Sequence, residues 1–453
     1  MIPVLNTRVG TCAIAVAVVL FAGGITSANA ADLGGNCCAD LEERIAELES
    51  TTARKGNRKV SLEVSGHVNE AIMYWDDGFE SNFNNVTNDN SRTRFRFKGS
   101  AKINDDLKAG YLLEIGVRTN NSKRFNQDDT SVEGTNALDV RHSMWFIESK
   151  TLGKLSLGQT GGAAEGVTEI NLAQTANIAK YADQEDSGLG LGLRQTNGLF
   201  SNGTGIVGTS VTWRRLIGDN GDQPGEGRRS SLIKYDTPAW QGFTATVNFG
   251  EDDFWEVGGR YAGEVAGFKL VAGIAYGENT GIKLASTNVG FECLAQNAAG
   301  IPAGGSDARC HQIGGSISAM HIATGLYVNF GAGQKTDDLI NKVAGFATAD
   351  NTSTFYAVEG GIEQKWSSFG KTTLFGQYYQ NDGGANARRK FGADNILSTE
   401  LTSYGGGIVQ GIEAADMQMY LFYRHSEADV TTAGVKPDLE DLDVVMGGAI
   451  IKF

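Results

Sequence analysis

The chain has 453 residues and a formal net charge of -14, from 39 basic and 53 acidic side chains. So acidic a chain argues against nucleic acid as a partner, because the phosphate backbone requires a basic surface. It contains 61 Gly but only five Pro. A Gly-rich, Pro-poor sequence punctuated by Asn and Asp predicts many antiparallel strands, in either a soluble β-protein or a membrane barrel.

The first 30 residues have the pattern of an export signal. Arg8 precedes an uncharged apolar run at residues 12–24, and Ala28-Asn29-Ala30 follows. This order predicts a secretory signal peptide, residues 1–30, cleaved after Ala30. The alternative, a membrane-spanning anchor, would need about 20 apolar residues, which is more than this run supplies.

Residues 31–57 contain a short helical pattern. Leu41, Ile45 and Leu48 in DLEERIAELES are spaced as in one heptad of a coiled coil. A helix this short is stable in water only when neighbouring copies hold it, so the pattern favours an oligomer. A frayed tail is the alternative. We predict a short periplasmic coiled-coil segment and linker. Cys37 and Cys38 are adjacent and could cross-link chains or stay free.

Strand patterns fill residues 58–453. In SRTRFRFKGSAKI, residues 91–103, the basic side chains alternate with Phe95 and Phe97, so a strand there has one basic and one apolar face. A short turn at residues 104–106 and a second alternating run predict an antiparallel hairpin. The pattern recurs down the chain, with short turns alternating with long polar loops. We predict about 16 strands.

Three features favour a membrane barrel over a soluble β-protein. The strands are long enough to cross a bilayer. Their apolar faces mix Gly and Ala with large side chains, an irregularity that lipid tolerates better than a close-packed core does. The chain ends in VVMGGAIIKF, an alternating strand closed by Phe453. In a membrane barrel the apolar faces point outward to lipid and the polar faces inward to water.

Several stretches resemble a known family. RFRFKG, LGKLSLGQ, IKYDTPAWQGF and the terminal Phe453 resemble Gram-negative general porins, and DLEERIAELES with ARKGNRKVSLEVSGHVNEAIMYWDDG resembles the start of alphaproteobacterial porins. The resemblance implies an all-β transmembrane barrel of 16 antiparallel strands, a homotrimer in the bacterial outer membrane among lipid and lipopolysaccharide. Small hydrophilic solutes and ions would diffuse through it. Phe453 would be the C-terminal signal for the barrel assembly machinery.

The same resemblance suggests pore-lining residues. The loop at residues 160–194 would fold into the barrel and narrow it, facing a basic wall and setting a transverse field. An ordinary solvated surface and an external loop are the alternatives. The predicted basic residues are Arg92, Arg94, Arg96, Lys98, Arg118 and Arg141, and the acidic ones are Glu114, on the same wall by parity, with Glu165, Glu169, Asp183, Glu185 and Asp186 of the loop.

Other chemistry finds little support in the sequence. Cys293 and Cys310 flank a polar loop and are predicted to form a disulfide in an oxidising compartment. The five His are scattered and no catalytic or phosphate-binding motif occurs, so we predict no enzyme activity, metal or other cofactor. A substrate-selective porin, or a structural or adhesive barrel with a plugged lumen, remain the alternatives to a general diffusion channel.

Overall fold

The computed structural model describes residues 59–118, 120–128, 138–217, 222–250, 253–280, 309–434 and 436–453, without the side chains of residues 387 and 388. The chain divides into two units, Met1–Arg54 and Lys55–Phe453, and every described residue belongs to the second. The predicted signal peptide and coiled-coil segment therefore lie outside the described residues and stay predictions.

The described chain is a single antiparallel sheet of eighteen strands. Alternating side chains and short turns explain why these segments are extended and why neighbours in sequence pair. The strands are β1 (Glu63–Asp76), β2 (Ser81–Thr87), β3 (Arg94–Lys102), β4 (Leu107–Val117), β5 (Leu138–Ser149), β6 (Gly153–Gly161), β7 (Arg229–Asp236), β8 (Phe243–Gly250), β9 (Phe254–Val265), β10 (Phe268–Asn279), β11 (Cys310–His321), β12 (Leu326–Asp337), β13 (Thr352–Ser367), β14 (Gly370–Gly383), β15 (Asn386–Phe391), β16 (Asp394–Ile412), β17 (Met417–Thr432) and β18 (Leu442–Lys452).

The eighteen strands occupy sixteen positions around a closed barrel. β2 and β3 pair with successive parts of β1, and β14 and β15 with successive parts of β16, so each of these two pairs fills one position. Pairing of β1 with β18 closes the sheet, with Val68 opposite Ile451. The predicted closed barrel of 16 antiparallel strands is confirmed.

The outer surface of the barrel is apolar. Alternate residues along β1, β11 and β17, such as Ile72, Ile317 and Leu421, are large hydrophobic side chains that are half exposed. Aromatic side chains gather at both ends of this belt, as they do where a barrel meets the two membrane interfaces. At the end with short turns are Phe243, Phe268, Trp366, Phe369 and Phe453, and at the end with long loops are Phe83, Phe249, Tyr356, Tyr404 and Tyr423.

The basic strand is shorter than predicted but has the predicted orientation. β3 begins at Arg94, because Asp89–Ser91 form a buried 3-10 turn that takes the preceding residues off the wall. Phe97 lies opposite the exposed Val64 of β1, so Phe95 and Phe97 point outward. Arg94 and Arg96 therefore point into the lumen.

The segment between β6 and β7, residues 162–228, is here called the insert. Its described part contains two 3-10 turns, Gln174–Asn177 and Gln184–Asp186, and one helical turn, α1 (Arg214–Ile217); 3-10 turns also occur at Ile340–Lys342 and Glu413–Ala415. The predicted loop, residues 160–194, overlaps the end of β6 and the first half of the insert. Beyond residue 194 the insert is held at the long-loop end, where Gln195 pairs with Leu439.

The insert crosses the lumen and packs on the opposite wall. The backbone N–H groups of Ile170 and Leu172 donate to Ser316 and Ser318 of β11, at 3.0 and 3.1 Å. Gln377 of β14 donates to the carbonyl of Ala179 at 2.6 Å. Wall side chains thus satisfy the backbone polar groups of a segment without regular structure, which buried loops require.

One half of the lumen is apolar, which corrects the expectation of a polar inner face throughout. Inward residues of β13 to β18 join the insert in one buried cluster because its apolar side chains cover them and exclude water. The wall contributes Phe355, Tyr379, Leu401, Phe422, Val444, Met446 and Ile450, and the insert contributes Ile178, Tyr181, Leu189, Leu191, Leu193, Trp213 and Leu216. Among the described residues, no helix has the length and apolar character needed to cross a bilayer.

Candidate functional site: a charged cavity in the lumen

The other half of the lumen contains a charged cavity of about 290 Å3. It lies between β3, β5 and β7 on one side and the insert on the other. Its lining includes six basic side chains (Arg92, Arg94, Lys123, Arg141, Lys180 and Arg229) and eight acidic ones (Asp89, Glu165, Glu169, Asp183, Glu185, Asp186, Asp222 and Glu226). So many charges in one cavity make it a site where ions would be sorted by charge.

Glu114 of β4 neutralises the basic wall from within. Its carboxylate accepts from Arg141 Nε at 2.7 Å and from Arg96 Nε at 2.7 Å, and it lies 3.4 Å from Arg94 Nη1. Only 1% of Glu114 is exposed. Three guanidinium groups can lie together because one buried carboxylate balances part of their repulsion. Glu114 therefore belongs to the basic wall and does not face it.

A second set of ion pairs lies where β3 begins. Arg92 contacts Asp89 at 2.8 Å and Asp139 at 3.2 Å, and Arg118 contacts the same Asp139 at 3.0 Å. Asn121 donates to Asp89 at 2.6 Å. The turn that shortens β3 thus supplies the carboxylate of Asp89 to Arg92.

One ion pair joins the insert to the basic wall. Glu165 lies 2.5 Å from Arg229 at the start of β7, and Arg229 Nε donates to the ring of His142 at 3.3 Å. Further along the insert, Lys180 lies between Glu169 at 2.6 Å and Asp183 at 2.7 Å. The insert thus balances part of its own negative charge.

Lys123, from the segment between β4 and β5, holds the remaining acids. Its ammonium nitrogen lies 3.1 Å from Glu185, 3.4 Å from Asp186 and 3.2 Å from Asp222. Only 12% of the Lys123 side chain is exposed. We call Glu169, Asp183, Glu185, Asp186, Asp222 and Glu226 the acidic edge of the cavity.

Crowding changes the ionisation of the acidic edge. Burial raises the pKa of Asp186 to about 7 against the opposing charge of Lys123. Burial, together with the charge of Asp183, raises the pKa of Glu226 to about 8 and that of Glu169 well above its usual range. Burial also raises the pKa of Glu185. Burial acts in the same direction on Asp183, but the charges of Lys180 and Lys123 and the hydrogen bonds with Glu169 and Lys180 together outweigh it and lower that pKa. Carboxyl groups with raised pKa values are protonated below those values, so the edge becomes more negative as the pH rises through neutrality.

The structure brings together eight of the predicted site residues in one cavity: Arg92, Arg94, Arg141, Glu165, Glu169, Asp183, Glu185 and Asp186. Four others do not line it. Arg96, Arg118 and Glu114 form ion pairs in the wall beside it. Lys98 is on the inner face but lies nearer the short-turn end, opposite Glu63.

Sequence reasoning missed Asp89, Lys123, Lys180, Asp222, Glu226 and Arg229, which also line the cavity. Lys180 stands within the predicted loop and could have been included on its charge alone. Lys123 lies in a segment that meets the insert only in the folded chain, and Asp222 lies near the far end of the insert, beyond the predicted loop, so strand parity carries no signal for either residue.

The chain end and one cysteine also bear on the predictions. The N–H of Phe453 donates to the carbonyl of Gly66 at 3.1 Å, and its ring occupies space where a Cβ on Gly66 would lie 2.7 Å from Cζ. Cys310 is buried and disulfide-bonded; Cys293 lies outside the described residues, so their pairing stays a prediction. Within the described ranges, no group of three or more His, Cys, Asp or Glu side chains could hold a metal ion.

The sequence profile of the Gram-negative porin family matches residues 13–432. The match spans most of the chain, so the chain belongs to this family. It is a channel for passive diffusion in the bacterial outer membrane. No curated protein sequence matches it significantly.

Solved structures with a similar fold include OmpT, an outer membrane protein of Vibrio cholerae, at 10% identity and a TM-score of 0.49, covering 88% of this chain and 99% of that one. The outer membrane channel DcaP of Acinetobacter baumannii has 11% identity and a TM-score of 0.48, covering 89% and 100%. Salmonella typhi OmpF in complex with daunomycin has 14% identity and a TM-score of 0.47, covering 87% and 98%. The assignment to the family comes from the sequence match.

Proposed function

We propose that the charged cavity is the constriction of the channel and sorts small hydrophilic solutes and ions by charge. The observation that carries this proposal is the meeting of Arg94, Arg141 and Arg229 with the acidic edge across one cavity of about 290 Å3. Because the apolar cluster fills the opposite half of the lumen, solutes would pass between the arginines and the acidic edge. A substrate-selective porin differs from a general one only in how this cavity is lined.

Planar-bilayer recording with Arg94→Glu tests this assignment. We expect steady conductance steps from the native protein and a reversal potential that moves toward cations in the variant, because a positive charge at the cavity becomes negative. Lys98→Glu is the matched control, since Lys98 lies on the same inner face of the same strand but outside the cavity. Equal shifts in the two variants would contradict the constriction assignment. No conductance from folded protein would favour a plugged structural or adhesive barrel.

We infer that the channel is a homotrimer, and an outward-facing carboxylate supports this. Glu70 of β1 lies between Val68 and Ile72 on the outer face, about midway between Phe453 and Tyr74. It accepts from Thr87 and Thr93, each at 3.0 Å. A charge on the lipid face near the bilayer centre costs about 2–4 kcal/mol for a basic residue and less for an acidic one, so contact with another subunit would relieve it. Unheated samples that migrate as monomers and give no cross-linked species would contradict the trimer.

The remaining assignments rest on sequence patterns and the family resemblance. We propose that residues 1–30 direct export, that residues 31–57 form a periplasmic coiled coil, and that Phe453 is recognised by the barrel assembly machinery. We further propose an alphaproteobacterial porin that lies among lipopolysaccharide, with a Cys293–Cys310 disulfide and no enzyme activity. Mass spectrometry of the mature chain tests the cleavage site after Ala30 and the disulfide.

A further inference from the structure

Lys123 is a basic residue on the acidic side of the constriction. The predicted arrangement, a basic wall facing an acidic loop, has no basic residue there. Lys123 comes from neither the wall nor the insert, yet its ammonium group lies within 3.4 Å of Glu185, Asp186 and Asp222. A single ammonium charge cannot balance three carboxylates, so the ionisation of these acids depends on whether Lys123 is present.

The segment that carries Lys123 is fixed to the insert by its backbone. Ser122 Oγ donates to the carbonyl of Asp186 at 2.5 Å, and the N–H of Gly188 donates to the carbonyl of Ser122 at 3.1 Å. Gly190 packs so closely on this segment that a Cβ there would lie 2.4 Å from the carbonyl oxygen of Phe125. Lys123 is therefore held against the acidic edge by contacts that do not depend on its own charge.

The net charge of the cavity is small, so the single charge of Lys123 has a large effect on it. Eight acidic side chains against six basic ones leave an excess of two negative charges when all are ionised. Protonation of two acids would cancel that excess, and protonation of more would reverse it. Burial raises the pKa of Asp186 to about 7 and that of Glu226 to about 8, and it also raises the pKa values of Glu169 and Glu185. The charge that a solute meets in the cavity therefore changes within the neutral range.

We propose that Lys123 is a selectivity-determining residue of the constriction, and that the carboxylates around it make the cavity less attractive to cations as the pH falls. The acids touching it are Glu185, Asp186 and Asp222, all of the insert. Other charged or titratable groups also face this cluster: Asp89 and Arg92 beside β3, Arg118 after β4, Lys180 and Asp183 of the insert, Arg228 on Asp222, Tyr379 of β14, and Arg424 of β17. This inference rests on the proposed constriction.

The test is the reversal potential in a salt gradient, measured from about pH 5 to about pH 9. We expect native protein to gain cation preference as the pH rises. Lys123→Gln should move the midpoint of that change upward by about one to three pH units, because an opposite charge at this distance lowers a carboxyl pKa by that amount. Above its own midpoint this variant should prefer cations more strongly than native protein does, because a positive charge is gone. Lys123→Arg should restore the native midpoint.

Lys108→Gln is the matched control. Lys108 faces the lumen from β4, pairs with Glu148 at 3.1 Å and does not line the cavity. Its loss should shift the reversal potential equally at every pH and leave the midpoint unchanged. A purely structural effect of Lys123→Gln would change conductance or current noise without moving the midpoint, and that result would overturn the proposal.

Two further variants keep the outcomes separate. If Lys123→Gln does not fold, Asp183→Asn tests the same cluster, because the charge of Asp183 raises the pKa values of Asp186 and Glu226. Loss of the Asp183 charge should move the midpoint downward. An unchanged midpoint would overturn the proposal. Arg94→Glu separates the constriction assignment from the role of Lys123. If it has no effect, the constriction assignment is wrong; if it shifts the potential while Lys123→Gln leaves the midpoint in place, only the role of Lys123 is wrong.

Discussion

The two halves of the barrel have similar outer faces and different inner ones. Outside, Phe97 of β3 and Phe330 of β12 both belong to the same apolar belt. Inside, β3 presents Arg94 to a charged cavity, whereas β13 presents Phe355 to a buried apolar cluster. Lipid contact determines the outer face everywhere, while the insert determines which inner surface meets water and which is sealed.

The largest effect is expected in the sealed half. Phe355→Ala should lower the free energy of unfolding by about 3–5 kcal/mol, because truncating a buried Phe removes apolar contacts and leaves a cavity. Only 3% of Phe355 is exposed, and its ring stacks on Tyr379 at 5.8 Å. Denaturant unfolding in detergent micelles measures the loss. Phe330→Ala, on the outer face of β12, is the control. Similar losses for the two variants would contradict a close-packed inner cluster.

An intermediate effect is expected in the charged half. Glu114→Gln should lower the free energy of unfolding by about 1.5–3 kcal/mol, because Arg94, Arg96 and Arg141 lose a charged hydrogen-bond partner. The same substitution should move the reversal potential toward anions, because a negative charge is lost from the basic wall. Glu359→Gln is the comparison in the sealed half. Glu359 is fully buried and accepts from Thr175 at 2.7 Å and Asn329 at 2.9 Å. We expect Glu359→Gln to change the free energy of unfolding but to leave the reversal potential unchanged. A shift in reversal potential as large as that of Glu114→Gln would mean that the sealed half also meets solutes.

The smallest effect is expected where the insert is pinned. Ser316→Ala should lower the free energy of unfolding by about 1 kcal/mol. Ser316 Oγ accepts from Ile170 N–H at 3.0 Å and donates to the carbonyl of Val167 at 2.6 Å, and both hydrogen bonds would be lost. A looser insert should increase the open-channel current noise while the mean selectivity stays constant. Ser143→Ala, on the outer face of β5, should leave the noise at the native level. Equal noise in both variants would show that Ser316 does not hold the insert.

Local pattern was sufficient for the barrel and for part of the site. Alternation at a period of two predicts which side of β3 carries Arg94 and which carries Phe95, because successive side chains on a strand point to opposite faces. It fails for inward Phe355 and Met446, since both faces of their strands are apolar there and alternation no longer distinguishes them. It also fails at Arg92, which the turn at Asp89–Ser91 takes out of the strand.

The sequence by itself determined the sixteen-position barrel, the outward apolar belt and the collection of charges at Arg94, Arg141 and the acidic part of the insert. These features depend on strand period and local composition. Only the tertiary structure decided that Glu114 balances the arginines, that Lys123 meets Glu185 and Asp222, and that the insert seals half of the lumen. Glu114 meets Arg96 through the register of the β3–β4 hairpin, which strand period alone does not set. The other contacts join segments far apart in sequence, and only the folded barrel brings them within hydrogen-bonding distance.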